Sequence, residues 1–256
     1  MTEDRTGRLA GQRVIVAGGG GSVGSALSAA LAAQGARVVV ADVALEYARD
    51  VAKQIAADGF EARPVHLDVT RADSIKAALA ESVEWLGGLD SLINSTGVSA
   101  SAPMLEVTEE HWDRIHDVNL KGAFMLAQAG ARVMAEQGTG GSIVTITSTN
   151  AERGVLNHVP YGASKGGLRQ MVMGMAADLA PYDIRVNNVG PGMMATTMRN
   201  NASTEVRTKV PRKVLRGRLP TGEDVAKVVS FLISDEGEYI TGANLYVDGG
   251  ALTGLF

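Results

Sequence analysis

The 256-residue chain has no cysteine. Disulfide frameworks, thiolate nucleophiles and thiolate zinc sites are excluded together, so any covalent chemistry must use other side chains. Positive charge is not in excess either. Against 24 Lys and Arg stand 28 Asp and Glu, a formal net charge of -4, and nothing in that balance recruits nucleic acid or an anionic membrane. No apolar run approaches the ~18 residues that span a bilayer, and the polar stretch Met1 to Arg8 lacks the apolar core of a signal peptide. The expectation is a cytoplasmic protein with no membrane and no nucleic-acid partner. A His-Glu-x-x-His sequence is absent, and His111 and His116 stand five apart, on different helix faces, so no catalytic metal is expected. Lacking also a Pro/Ser-rich linker, an internal repeat or a low-complexity tract, residues 1–256 read as one domain.

What the chain does have is 45% hydrophobic residues and 31 glycines. Short β-branched runs alternate with longer Ala/Leu-rich segments, the pattern of a parallel sheet covered by helices on both faces. The runs are Arg13 to Val16, Arg37 to Ala41, Ala62 to Leu67, Ser91 to Ile93, Ser142 to Thr147, Arg185 to Val189 and Asn244 to Val247, so about seven strands are predicted. Between the first two, Ser25 to Gln34 is a strong helix former that Gly35 would stop in a left-handed conformation.

The first run leads through Ala17-Gly18-Gly19-Gly20-Gly21-Ser22-Val23-Gly24 directly into that helix. A side-chain-free turn at a helix N-terminus lets backbone N–H groups and the helix dipole meet a pyrophosphate, which makes a dinucleotide the natural ligand. Asp42 ends the second run eighteen residues beyond Gly24, near the roughly 20-residue spacing of an acid that binds the adenosine ribose. A carboxylate there repels a 2′-phosphate, and Arg37 precedes the strand, so NAD is favoured over NADP. The competing reading has Asp42 only capping the strand end or starting the next helix.

Tyr161 and Lys165 lie four apart in Tyr161-Gly162-Ala163-Ser164-Lys165, on one face of a predicted helix. Moving a phenol from its ordinary pKa of about 10 to about 7 needs roughly 4 kcal/mol. A unit positive charge ~4 Å away supplies about that at an effective dielectric near 20, and an oxidised nicotinamide would add to it. Lys165 is thus expected to lower the Tyr161 pKa.

With these segments stand Leu67-Asp68-Val69, Asn94-Ser95-Thr96-Gly97, Val118-Asn119, Ser142 to Ser148, Pro191-Gly192 with Thr196, Tyr239-Ile240-Thr241-Gly242 and Val247-Asp248-Gly249-Gly250. In this order and spacing, from Arg13 to Gly250, the sequence resembles a single-domain short-chain dehydrogenase/reductase. The resemblance implies a Rossmann-type doubly wound parallel sheet and a homotetramer. It implies Tyr161 as general acid/base, Lys165 lowering its pKa and holding the nicotinamide ribose, Ser148 bonding the substrate oxygen, and Asn119 holding a water in a relay to Lys165. Gly18, Gly21, Ser22, Val23 and Gly24 would take the pyrophosphate side of the cofactor, Asp68 and Val69 the adenine side. Asn94 and Gly97 would line the cleft, and Pro191, Gly192 and Thr196 would lie beside the nicotinamide.

The chain departs from the family pattern at two places. Ala17 and Ser22 stand where Thr and Gly are usual, and a left-handed Ser22 would cost ~1–2 kcal/mol. Asn94-Ser95-Thr96-Gly97 replaces the common Asn-Asn-Ala-Gly. The expected activity is hydride transfer between NAD(H) and a secondary alcohol or ketone. The alternatives are an NADPH-linked ketone or 3-oxoacyl reductase and a non-catalytic dinucleotide sensor. Asn157, His158, Met193 and Met194 flank the expected site. Residues 195–218 would cover the substrate, and their cluster of Arg and Lys reads as a solvated face or subunit contact ahead of an anionic-substrate site. Leu168 to Leu179, uncharged between Arg169 and Asp178, suits burial in the core or against another subunit.

Overall fold

The computed structural model describes residues 7–194 and 214–253. Seven parallel strands form one sheet in the order β3-β2-β1-β4-β5-β6-β7. They are β1 (Arg13–Ala17), β2 (Arg37–Asp42), β3 (Ala62–His66), β4 (Ser91–Asn94), β5 (Gly141–Ile146), β6 (Ile184–Pro191) and β7 (Asn244–Val247). All seven predicted runs become strands, Asn244 to Val247 with the same ends and the others with an end shifted by one or two residues, the scatter usual where a ladder frays into a loop.

The helices are α1 (Ser22–Ala33), α2 (Leu45–Ala57), α3 (Ala72–Leu86), α4 (Glu109–His116), α5 (Ala123–Gln137), α6 (Val159–Leu179) and α7 (Gly222–Ile233). Alternation along each strand divides the core between the two faces. Val14, Val16, Val38 and Val40 pack with Leu27, Leu31 and Val229 of α1 and α7, while Ile15, Val39 and Leu92 pack with Leu79, Leu126 and Val172 of α3, α5 and α6. The interiors of β1, β2, β4 and β5 are buried on both faces, which explains the unbroken valine runs of β1 and β2, while the edge strands β3 and β7 are only partly buried.

The chain moves outward from β1 to β3 and then returns to β4 on the other side of β1. At such a reversal the loops beyond neighbouring strand ends part and leave a crevice, the usual ligand site of an open α/β sheet. Here the loops after β1 and β4 meet at the Ser95 N–H, which donates to the Ala17 carbonyl at 2.8 Å.

Candidate active site

On one wall of the crevice, α1 begins at Ser22, three residues earlier than predicted, with Gly21 as an extended N-cap and no side-chain cap. Ser22 is therefore helical, not left-handed, and the expected cost does not arise, because Gly18 takes the positive φ of +72° instead. A Cβ at Gly24 would stand 2.0 Å from the Gly18 carbonyl oxygen. The turn is thus packed backbone on backbone, and its uncapped helix start offers N–H groups and a positive dipole end to an anion.

Asp42 closes this wall. Its Oδ2 accepts from the Gly20 N–H at 3.0 Å and its Oδ1 from the Ala44 N–H at 3.0 Å. The carboxylate therefore turns the chain at the end of β2 and is pinned beside the glycine turn, while α2 starts from Ala44 without a side-chain cap. Arg37 lies at the opposite end of β2, bonded to Glu61 and to the Trp85 and Leu86 carbonyls, with its guanidinium 4.7 Å from the Trp85 ring centroid. Asp68, just past β3, accepts from the Thr70 hydroxyl at 2.6 Å and its N–H at 2.9 Å, and the hydroxyl bond holds its carboxyl below the ordinary value. Neighbouring Val69 is buried. Buried Asn94 uses its Oδ1 to accept from the Thr96 N–H at 3.0 Å and hydroxyl at 2.7 Å, so Thr96 locks the loop in a way its methyl-bearing counterpart Ala could not.

The opposite wall carries the proton-transfer candidates. Ser148 follows β5, and its hydroxyl accepts from the Asn150 N–H at 3.1 Å, while its influence on Tyr161 favours the phenolate. Tyr161 and Lys165 lie one turn apart near the start of α6, whose Pro160 falls at a position that needs no N–H donor. The Lys165 ammonium, 3% exposed, donates to the Ile146 carbonyl at 3.0 Å and sits 5.7 Å from the Tyr161 ring centroid.

Burial pulls the Lys165 pKa down to about 8 and pushes the Tyr161 phenol up, Ser148 partly opposing the latter. The expected lowering of the phenol by Lys165 is therefore not met by the protein's own groups. Desolvation weakens the ammonium that was to do it and penalises the phenolate directly.

Asn119 is buried in a π-helical turn, Asp117–Gly122, between α4 and α5. Its Oδ1 accepts from the Val98 N–H at 2.8 Å, and its Nδ2 donates to the Val98 carbonyl at 2.9 Å and the Ser164 hydroxyl at 3.1 Å. Ser164 in turn donates to the Tyr161 carbonyl at 2.7 Å. The widened turn thus ties the loop after β4 to the start of α6, a use of π-geometry common at functional sites. Gly97 keeps the space beside Lys165 open, since a Cβ there would lie 3.5 Å from both Lys165 Nζ and Asn119 Oδ1.

Pro191 pairs with Val247 at the end of β6, and Gly192 N–H donates to the Val247 carbonyl at 3.0 Å. Thr196 and most of the expected cover, 195–213, lie outside the described residues. His158 directs Nδ1 to the Leu156 carbonyl at 2.8 Å and its ring stands 6.3 Å from that of Tyr161, edge on. Met194 packs against the core.

Ser164 was not anticipated, although its i+3 position from Tyr161 in the same pentapeptide was a usable signal. Glu152 was missed as well. It accepts from the Tyr246 hydroxyl at 2.6 Å and pairs with Arg169 at 2.6 Å, and no local pattern marks partners so far apart in the chain.

A strand-glycine-helix crevice facing a Ser-Tyr-Lys cluster is the layout of a dinucleotide-dependent oxidoreductase. A family profile described as enoyl-(acyl carrier protein) reductase matches residues 18–252. An L-rhamnose 1-dehydrogenase (NAD(P)(+)) of Azotobacter vinelandii is 36% identical, over 96% of this chain and 99% of the relative. A 3-alpha-(or 20-beta)-hydroxysteroid dehydrogenase of Mycobacterium bovis is 36% identical, over 98% and 93% respectively. The crystal structure of a short-chain type dehydrogenase/reductase from Mycobacterium marinum superposes with a TM-score of 0.89 at 32% identity, covering 95% of this chain and 96% of that one. The chain belongs to the short-chain dehydrogenase/reductase family.

Proposed function

We propose that this protein interconverts a secondary alcohol and a ketone with NAD(H), the whole chain acting as one dinucleotide-binding and catalytic domain. The observation that carries the reading is the buried Lys165, one turn beyond Tyr161 and 5.7 Å from its ring centroid, with Ser148 acting on the same phenol. The residues present fit a dinucleotide: a glycine turn that side chains would fill, an uncapped helix start, and a carboxylate pinned beside them. Gly18, Gly21, Ser22, Val23 and Gly24 would hold the pyrophosphate, and Asp42 the adenosine ribose. Asp68, Val69, Asn94 and Gly97 would line the adenine side and cleft, and Pro191, Gly192 and Thr196 the nicotinamide. Bound nicotinamide supplies the two-electron acceptor or donor.

In the oxidation direction, Ser148 would orient the carbinol oxygen and Tyr161 as phenolate would take its proton, so that loss of the carbinol hydrogen as hydride to a bound oxidised nicotinamide would leave a ketone and a protonated Tyr161. The phenolate, disfavoured by burial alone, is supported by the positive charges of Lys165 and the oxidised ring. Asn119 would hold a water that passes the proton on from Lys165. Residues 195–218 would cover the substrate, and the assembly would be a cytoplasmic homotetramer.

NAD is favoured because the Asp42 carboxylate stands where a 2′-phosphate would bring like charge, while Arg37 is committed at the far strand end. The test is kinetic. The kcat/KM with NAD should exceed that with NADP, and equal or better turnover with NADP would remove the role given to Asp42. Tyr161→Phe should lower kcat by about 10²-fold or more while leaving dinucleotide affinity unchanged. Near wild-type turnover would eliminate Tyr161 as acid/base, and tight NAD binding without turnover on any alcohol would favour a sensor.

A further inference from the structure

Six of the thirteen exposed large hydrophobic side chains among the described residues stand on the segments that follow β4, β5 and β6. They are Met104, Leu105, Val155, Leu156, Val159 and Met193, with Leu105 99% and Leu156 86% exposed. The first two segments are joined where the Ala102 N–H donates to the Asn157 carbonyl at 3.0 Å. Asn157 holds a left-handed φ of +61°, so the turn that exposes Leu156 is a built conformation. His158, next in the chain, brings its ring to 6.3 Å from that of Tyr161. The segment that carries the apolar rim therefore runs alongside the Tyr161 ring.

Charge is almost absent from this rim. Residues 98–105 contain none, and 154–160 contain only His158, whose Nδ1 is engaged by the Leu156 carbonyl. Charged residues flank the rim without entering it: exposed Glu106 follows Leu105, Arg153 precedes Gly154, and Glu152 is tied to Tyr246 and Arg169. A polyol or sugar needs several convergent donors and acceptors to replace the water stripped from its hydroxyls, since each group left unmatched is penalised. Exposed leucine and valine side chains instead gain by covering hydrocarbon.

We propose that this rim receives the apolar part of the substrate, which is a secondary alcohol or ketone bearing a saturated hydrocarbon chain or fused-ring system, not a polyol. The proposal rests on the oxidoreductase reading above and gives that site its substrate class.

The test follows NADH formation by the intact protein with NAD and two alcohol sets. One runs from 2-butanol to 2-octanol and includes a fused-ring secondary alcohol; the other contains xylitol, sorbitol and rhamnose. The kcat/KM should rise about fourfold per added methylene in the first set and stay at least 100-fold lower throughout the second. Leu156→Ser and, separately, Leu105→Ser should flatten the chain-length slope while NADH affinity stays unchanged. Faster turnover of the sugars and polyols, or no slope, overturns the rim assignment and leaves hydride transfer standing. Absence of NADH from every compound, with dinucleotide binding intact, overturns the oxidoreductase reading and the rim assignment together.

Discussion

Lys165 is held at a cost to stability. Its ammonium is 3% exposed with a pKa pulled down to about 8 from 10.5, a shift equivalent to about 3 kcal/mol of disfavoured charge. Below pH 8 the lysine is protonated in both folded and unfolded chains, and the penalty is present in full. Between pH 8 and 10.5 the unfolded chain binds more protons, so stability rises with pH through that window. Lys165→Met should therefore stabilise the dinucleotide-free protein at pH 7. The gain should be about 2 kcal/mol after subtracting about 1 kcal/mol for the Ile146 carbonyl left without its donor. Thermal melts at pH 7 and pH 10 check this: the variant should melt several degrees higher at pH 7, with the gap closing at pH 10, while turnover falls at least 10²-fold. A variant less stable than wild type at pH 7 would mean that the buried ammonium is fully compensated. The pairing of Tyr161 with Lys165 was legible from their i,i+4 spacing, but the direction of the phenol shift was not. Spacing gives proximity along a helix, whereas desolvation depends on what other segments pack around it.

At the scale of elements, the glycine turn and α1 act as one unit because Gly18 and Gly24 approach backbone to backbone. With a Cβ 2.0 Å from the Gly18 oxygen, Gly24→Ala must displace the turn or the helix start. The expected result is a loss of about 1–3 kcal/mol in stability and at least tenfold weaker dinucleotide binding, read by NADH fluorescence titration. Unchanged affinity would separate the turn from cofactor binding. The strand-turn-helix order was readable because strand alternation, glycine and helix propensity are local properties. The helix starts three residues earlier than the sequence suggests because Ser22, a cap-type residue, lies inside it and the cap is a bare Gly21 with no side-chain hydrogen bond. The π-helical turn at Asn119 was not readable at all, since its partners Val98 and Ser164 are brought to it by the fold.

For the whole molecule, exposed apolar side chains away from the crevice bear on assembly. Met173 on α6 is 46% exposed, and Trp112 on α4 and Phe124 on α5 are 40% and 39% exposed, all outside the rim that borders Tyr161. If the protein is the proposed homotetramer, these helices supply subunit contact, and Met173→Glu should place a charge in it. Sedimentation should give four chain masses for the wild type and a smaller species for the variant. A wild-type monomer at micromolar concentration would refute the assembly.

From the order of residues alone came the seven-strand parallel architecture, the strand-glycine-helix turn and the spacing of Tyr161 and Lys165, because each is a periodic or near-neighbour pattern. Three-dimensional packing decided the rest. It set the dry surroundings of Lys165, the upward shift of the phenol, the ties from Asn119 and Glu152, and the gathering of Leu105 and Leu156 at one rim. Those properties arise from side chains tens of residues apart whose neighbours exist only once the sheet has brought its strand ends together.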